Sequence, residues 1–286
     1  MSNLIKMPEL DEFPLSILRQ TPQKPMALHT HDFVELVVIL EGQGWHFSHE
    51  DAYEIMAGDC FVVSDMHGYR DTKNLKLANI LFYPSRLGLP MAEARKLPGY
   101  HAFFALEPRY RQRHKFRSCL RLSMNELSRV SSLMDLMEAE LKTRKAGFEF
   151  MATTLLMELI GRLSRAYAGV DNATTRPLMR LGTVLSHMEQ HYMEPIPLTQ
   201  LTRMAHMSHS TLLRTFQEIT GFSPVDYLIR LRIHRACDLL RTNRLNVTET
   251  AFRVGFNDSN YFARQFRRVM NCPPKDYARH VDNERG

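Results

Sequence analysis

The alternation of apolar and polar positions divides the chain into stretches of different character. From about Pro25 to Tyr83, short runs rich in β-branched and aromatic residues (ELVVIL, GWHFSH, YEIM and CFVVS) are separated by turn signals such as Glu41-Gly42-Gln43-Gly44 and Ala57-Gly58-Asp59. Their spacing predicts an antiparallel barrel or sandwich. After a Pro/Gly-punctuated stretch around Leu87 to Gly99 the period becomes helical. Ser123 and Glu126 form an S-x-x-E capping box ahead of Leu127, Val130, Met134, Met137 and Leu141, which recur at spacings of three and four. A second amphipathic helix is predicted from about Phe148 to Tyr167, with Leu155, Leu156, Leu159, Ile160 and Leu163 on its apolar side. Such a pair either packs on the barrel or forms a surface through which the chain dimerises, and dimerisation is the expectation. Residues 168–177, AGVDNATTRP, are polar, Gly/Thr-rich and end in proline, so they are the expected linker.

Beyond the linker the pattern is helical and repeats itself. Phe216, Gly221, Pro224, Asp226 and Tyr227 reappear 50 residues later as Phe266, Asn271, Pro274, Asp276 and Tyr277, so two copies of one supersecondary unit are implied. In the second copy, residues 247–269, Ala251 offers the small side chain that two closely crossing helices require. Gly255, four residues on, supplies a left-handed turn. Asn257 is the expected cap of the next helix, with Phe262, Phe266 and Val269 inward and Ser259, Asn260, Ala263, Arg264 and Arg267 outward. Arg268 is expected to meet phosphate. The first copy, residues 198–221, is looser: Thr202 takes the small position and His206 replaces the turn glycine. Ser208 can cap a helix with Leu212, Phe216 and Ile219 inward and Ser210, Thr211, Leu213, Arg214 and Gln217 outward. Asn pairs with adenine and Arg with guanine, so such faces suit base edges in the major groove of double-stranded DNA.

Charge sharpens this reading. The formal charge of +6 lies entirely in residues 176–286, which hold 16 Lys+Arg, 15 of them arginine, against 10 Asp+Glu; residues 1–175 hold 21 of each. A one-sided arginine excess is the footprint of a polyanion partner. The four cysteines, Cys60, Cys119, Cys237 and Cys272, form no CxxC pair, which argues against a disulfide framework or a zinc finger and for reduced, mostly buried thiols. No window approaches the roughly 18 apolar residues of a membrane span, and the start MSNLIKMPELDEF lacks a signal-peptide pattern. A soluble cytoplasmic protein without a membrane partner is expected.

The run of Ile229-Arg230-Leu231-Arg232, Ala236, Leu239-Leu240, Val247, Ala251, Val254-Gly255-Phe256, Asp258-Ser259-Asn260-Tyr261-Phe262, Phe266-Arg267-Arg268 and Pro274 resembles the signature of the AraC/XylS family of transcription regulators, over about 100 residues. The resemblance implies two helix-turn-helix units joined by a long helix and reading successive major-groove segments. It carries direct readers over to Ser210, Leu213 and Arg214, and to Ser259, Asn260, Ala263 and Arg264. His206 departs from the usual small turn residue, which puts the geometry of the first turn in question.

In the N-terminal part, His29, His31, Glu35, Gly42, Gly58 and His67 resemble the two cupin motifs, although the glycine before the first histidine and the proline before Gly58 are absent. In metal-binding cupins four such side chains converge, here His29, His31, Glu35 and His67, a shell suited to zinc, nickel, iron or manganese. The same groups, with Trp45 as a stacking floor, could instead hydrogen-bond a sugar without metal. No cofactor is required on that reading, and a divalent metal is the alternative. The segments HTHDFVEL and NILFYPSRL resemble those of the L-rhamnose-responsive activators.

The expectation is therefore an α+β protein with three parts: a cupin-like barrel sensing a small-molecule effector (residues 1–120), a helical dimerisation segment and linker (121–175), and an all-α DNA-binding domain (176–286). Its function is expected to be that of a sugar-responsive activator of catabolic genes, a homodimer that engages RNA polymerase, and no enzyme. A metal-dependent cupin enzyme fused to a DNA-binding tail, and a constitutive regulator whose barrel only dimerises, are the alternatives.

Overall fold

The computed structural model describes residues 4–6, 9–48, 51–63, 66–89, 91–114, 120–241 and 245–283. Cys119 and the predicted strand ends at His49 and Ser64 lie outside them. The chain forms two compact units, Met1–Gly182 and Thr183–Gly286.

In the first unit a short helix α1 (Glu9–Glu12) precedes six strands: β1 (Leu15–Gln20), β2 (Met26–His29), β3 (Val34–Phe47), β4 (Ala52–Met56), β5 (Asp59–Val63) and β6 (His67–Phe82). Helices α2 (Met91–Ala94) and α3 (Pro98–Tyr100), a π-helical turn (His101–Leu106) and α4 (Glu107–His114) lead to β7 (Leu120–Arg121), α5 (Met124–Thr143) and α6 (Phe148–Ala168). All strand pairs of the sheet are antiparallel. The spine is the long β3–β6 ladder, flanked at one end by β1, β5 and β7 and at the other by β2 and β4. The runs ELVVIL and GWHFSH belong to one strand, because Gly42 lets the backbone bend without ending it. Its φ is +75°, and a Cβ there would sit 2.1 Å from the Asn74 carbonyl oxygen.

Val37, Ile39, Ile55, Phe61, Val63, Tyr69, Leu75 and Leu77 fill the interior. Leu36, Val38, Cys60, Val62, Ala78 and Ile80 are buried too, so the sheet is covered on both faces. That is why ELVVIL reads as a continuous apolar run and not as an alternation. The dimerisation expectation needs correcting at its base. The stripes of α5 (Val130, Leu133, Met134, Met137) and α6 (Ala152, Leu156, Leu159, Ile160, Leu163, Tyr167) are buried within the unit. What they leave in solvent is Met124, Leu136, Phe150 and Met151. The Ser123–Glu126 capping box starts α5.

The linker is also shorter than composition suggests. Helix α6 runs to Ala168 and α7 (Thr175–His191) takes in Pro177, which a first turn accepts because its missing N–H has no intrahelical partner there. The Asn172 side chain accepts from the backbone N–H groups of Thr174 and Thr175. The division between the two units falls inside α7.

The second unit continues with α8 (Leu198–Ala205), α9 (His209–Thr220), α10 (Pro224–Arg241), α11 (Val247–Arg253), α12 (Ser259–Met270) and α13 (Pro274–Asn283). Ile233, Ala236, Cys237, Leu240, Ala251, Val254, Phe256, Phe262 and Phe266 form its core around α10. Among the described residues no helix is long and apolar enough to cross a membrane. Cys60 and Cys237 are buried, Cys272 partly so, and none of the three is in a disulfide.

Two glycines separate steric from conformational cost. Gly147 has φ +84° and open space for 4 Å around the point a Cβ would occupy, whereas at Gly42 a Cβ meets backbone. Urea denaturation of Gly147→Ala should show a loss of about 1 kcal/mol, and of Gly42→Ala about 3 kcal/mol, the excess being the clash. Equal losses would show that the β3 bend tolerates a side chain.

Candidate ligand pocket and nucleic-acid interface

At one end of the sheet β2 and β6 pair so that His29 lies opposite His67. The β3–β6 register, His46 with Tyr69 and Phe47 with Gly68, brings His46 beside the same residue. His46 Nε2 is 3.2 Å from His67 Nδ1. Glu35 enters from the start of β3, its Oε2 3.0 Å from His31 Nε2 and 3.5 Å from His67 Nε2. The ligand-capable atoms of His29, Glu35 and His67 all lie within 4.8 Å of one another. His31 reaches this trio through Glu35, its ring centre 6.4 Å from that of His29. All four side chains expected to converge therefore do, three of them tightly.

Trp45 does not join them. The β3–β6 register shifts between Ile39 and Trp45, and a one-residue shift exchanges the two faces of a strand. Inward positions thus change from odd (Glu35, Val37, Ile39) to even. His46 is 5% exposed, while Trp45 is 38% exposed and carries the Arg70 guanidinium 5.9 Å from its ring centre. The rings beside the cluster are instead Tyr53, Phe61 and Tyr69, which surround His46 with ring centres 4.9–5.3 Å away. Arg111 of α4 lies over Tyr53 and Phe61 and donates to the Tyr53 hydroxyl and the Val62 carbonyl. His46, Tyr53, Tyr69 and Arg111 escape the sequence pattern; only Tyr53 and His46 sit in runs that read as strand, and His46 does not face inward by simple alternation from Glu35.

Burial alone would raise the Glu35 carboxyl, yet the adjacent His31 and His67 imidazoles outweigh it and hold the pKa at about 2. Burial pushes His46 well below the usual histidine range, helped by His67 and the Arg111 cation, and lowers His29 less, with His67 adding. The cluster is thus an ionised carboxylate with two imidazoles, His29 and His46, that resist protonation.

In the helical unit α8–α9 and α11–α12 are the two helix-turn-helix copies. Gly255 has φ +90°, and a Cβ would meet the Met193 carbonyl oxygen at 2.6 Å, so only glycine fits. His206 adopts the same left-handed region, φ 52°, at a turn where it is exposed, which resolves the question its substitution raised. Ala251 is fully buried; Thr202 is half-buried, its hydroxyl donating to the Thr199 carbonyl. Ser208 caps α9 as expected. The cap of α12 is Asp258 and not Asn257: the helix begins at Ser259, and the capping side chain accepts from the N–H three residues on, that of Tyr261, at 2.8 Å. Asn246 and Glu249 form an unforeseen capping box on α11, legible in retrospect as N-x-x-E.

Leu212, Phe216 and Ile219 of α9, and Phe262 and Phe266 of α12, are buried, while Val269 is only partly so. Ser210, Arg214, Gln217, Asn260, Arg264, Arg267 and Arg268 are exposed; Leu213, Ser259 and Ala263 are half-buried. Gln217 and Arg268 are among those already engaged within the unit. Gln217 donates to the Gly221 carbonyl at 2.8 Å, closing the end of α9. Arg268 pairs with Asp226 of α10, which also accepts from Arg230. Burial opposes the Asp226 charge, but the two arginines outweigh it and hold its carboxyl below the usual range. Arg268 thus ties α12 to the long helix, in place of standing clear for phosphate.

The linkage of the buried histidines to folding fixes a sign. His29 and His46 are harder to protonate folded than unfolded, so below the ordinary value of 6.5 the unfolded chain binds more protons and stability falls with pH. Glu35 acts in the same direction only below about pH 4.5. Chelator-treated protein should lose up to about 1.4 kcal/mol per pH unit and per such histidine below pH 6.5. The melting temperature should fall from pH 7 to pH 5 less steeply in His46→Phe; an identical slope would mean His46 is not held neutral.

Comparison with known proteins accords with this geometry. The AraC-like ligand binding domain matches residues 15–160 and a helix-turn-helix domain matches residues 201–280. The HTH-type transcriptional activator RhaS of Salmonella schwarzengrund (strain CVM19633) is 32% identical over 270 residues, 92% of this chain and 91% of that protein. The HTH-type transcriptional activator RhaR of Mannheimia succiniciproducens is 28% identical over 269 residues, 93% and 92% respectively. The crystal structure of a probable AraC family transcriptional regulator from Rhodopseudomonas palustris is 27% identical, covering 36% of this chain and 96% of that one with a TM-score of 0.34. With a sheet unit of the ligand-binding type and a paired helix-turn-helix unit, this chain belongs to the AraC family of DNA-binding transcription regulators, which are not enzymes.

Proposed function

We propose that the chain is a cytoplasmic, sugar-responsive transcription activator. Its barrel takes a small polar effector among His29, His31, Glu35 and His67, and α9 and α12 read successive major-groove segments. The observation that carries the reading is the pairing of a buried cluster of polar side chains with two capped helices whose outward faces bear Arg214 and Arg264. Activation is supported by the names of the two relatives, and a deoxy sugar by the likeness of HTHDFVEL and NILFYPSRL to the L-rhamnose-responsive activators. Tyr53, Tyr69 and Arg111 give the pocket the aromatic walls and fixed donor that sugar recognition uses, the part that the sequence alone assigns to Trp45. Homodimerisation would use what α5 and α6 leave exposed, Met124, Leu136, Phe150 and Met151, and engagement of RNA polymerase follows from activation.

Direct base contact is assigned to Ser210, Leu213 and Arg214 in α9 and to Ser259, Asn260, Ala263 and Arg264 in α12. Arg267 serves as a phosphate contact. Binding-site selection with Arg214→Ala and Arg264→Ala should each relax one base position at a cost of about 1–3 kcal/mol, the two positions lying roughly ten base pairs apart. Arg267→Ala should reduce the salt slope of binding by about one. Arg268→Ala should instead cost stability of up to about 1 kcal/mol, because its exposed pair with Asp226 is screened. Both reader variants relaxing one and the same position would defeat the two-reader arrangement. Calorimetry with L-rhamnose and related deoxy sugars should find binding in the native chain and none in His31→Ala or Glu35→Ala; unchanged affinity in both would remove the effector from this pocket.

A further inference from the structure

We infer that the helical unit holds a small-molecule site of its own, a groove between its two helix-turn-helix copies that takes a monocarboxylate with a compact apolar body. The inference concerns this unit alone and does not depend on what the barrel binds. The groove has a volume of about 250 Å³. Its walls come from the end of α7 and the loop after it, the start of α8, the first turns of α10, and the turn between α11 and α12. Met188, Leu198, Leu201, Val225 and Leu228 make it apolar, and it meets solvent where Val225 is 61% exposed. Gly255 and Asn257 line the side that belongs to the second copy, so an occupant touches both copies at once.

The polar groups in this apolar groove set the chemistry of the occupant. Arg232 of α10 lines it half-buried, its Nε donating to the Tyr192 carbonyl at 2.6 Å and its Nη2 to the Glu194 carbonyl at 2.9 Å. Both acceptors are neutral. Among the described residues no carboxylate lies within 4.0 Å of this guanidinium, and Nη1 has no acceptor. Its neighbours on α10 differ: Arg230 is paired with Asp226 and Arg235 with Glu189. A guanidinium drawn partly out of water without a counter-ion is costly, and one anion removes that cost. The two carbonyls already hold its planar fork in place, so little ordering remains to be done on binding. Asn257 adds a donor. Its side chain is exposed and makes no hydrogen bond with the described residues, because Asp258 caps α12 in its place. A cation and an amide among apolar walls match an anionic head on an apolar body. At about 30 Å³ per water-sized group, the groove accepts a body of about eight such groups. The rival occupant is a DNA phosphate, which uses the Arg232 cation and leaves the apolar walls unmatched.

The test titrates the full chain by calorimetry with octanoate and phenylpropanoate, and with octanamide and inorganic phosphate for comparison. One equivalent of either acid should bind with a Kd between about 10 μM and 1 mM. Octanamide has the same chain without the charge and should bind at least tenfold more weakly; phosphate should not bind. In methyl-labelled protein the NMR signals of Met188 and Met193, which line the groove, should move on binding while those of Met207 and Met270 in the same unit stay. Asn257→Asp and Val225→Glu put a negative charge on the exposed side of the groove. Each should weaken both acids at least tenfold while far-UV circular dichroism stays native. Arg232→Gln should do the same, but it also frees two carbonyls, so the two exposed variants decide the matter if it does not fold. Four results would each overturn the inference: octanamide as tight as octanoate, full acid affinity in folded Asn257→Asp and Val225→Glu, methionine shifts elsewhere than at Met188 and Met193, or phosphate binding without acid binding.

Discussion

The register of the β3–β6 ladder is the constraint on which the sensing unit depends. Its two strands run side by side from Val34 opposite Phe82 to Phe47 opposite Gly68, and the shift near Gly42 decides which residues beyond it look inward. Before the shift the ladder lays down an apolar floor of Val37, Ile39 and Leu77; after it, the inward residues are His46 and Tyr69. His67, the first residue of β6, is held from two sides, by His29 on β2 and by His46 on β3. A flat, regular ladder would have sent Trp45 into the barrel and His46 to solvent. Gly42 is therefore a residue of the site, although it touches none of the site's polar atoms.

The reading unit depends on backbone of another kind. Each copy turns through a left-handed residue, Gly255 in one and His206 in the other, and the difference follows from what lies alongside. The Met193 carbonyl presses on Gly255, so no side chain is admitted, whereas the His206 turn is exposed and accepts one. With the turns fixed, Ser208 and Asp258 cap α9 and α12, and the buried phenylalanines set which faces remain outside. Arg214 and Arg264 are presented by packing, with no strong partner of their own: Glu218 lies 4.0 Å from Arg214, and Arg264 rests over the Tyr261 ring.

These two mechanisms explain what the sequence can and cannot reveal. Helix periodicity, capping boxes and the internal repeat are local, and they identify α5, α6 and both helix-turn-helix copies with their inward residues. The pairing of strands separated by twenty or more residues is not local. Nothing in GWHFSH distinguishes an inward histidine from an inward tryptophan until the register with β6 is known. The same limit applies to α4, whose polar EPRYRQRH reads as surface although Arg111 is buried against Tyr53 and Phe61. Arg268 is a milder instance: its outward position is legible, its partner Asp226, forty-two residues away, is not. The apolar stripes of α5 and α6 are legible as stripes, but amphipathicity says only that a face is covered, and here their own unit covers it.

The polar cluster also bears on why the protein keeps a barrel of this composition. A buried carboxylate with four imidazoles around it forfeits hydration that an apolar filling would not, and the unpartnered Glu35, His46 and His67 atoms show that the network does not recover all of it internally. Groups of this kind are retained where something arrives to satisfy them. An occupant that supplies the missing charge or donors stabilises the ligand-binding unit by its own binding free energy, since the unfolded chain offers no such cluster. Coupling of that stabilisation to DNA reading needs two arrangements of the protein that the occupant binds unequally, because a ligand indifferent between them shifts nothing. The pocket is built largely on β2, β3 and β6, whose pairing is rigid, but its far wall is Arg111 on the short helix α4, which packs on β5 and on the π-helical turn. That turn in turn contacts α6. The element most able to take up a difference between empty and filled states is therefore the α4 wall and not the sheet.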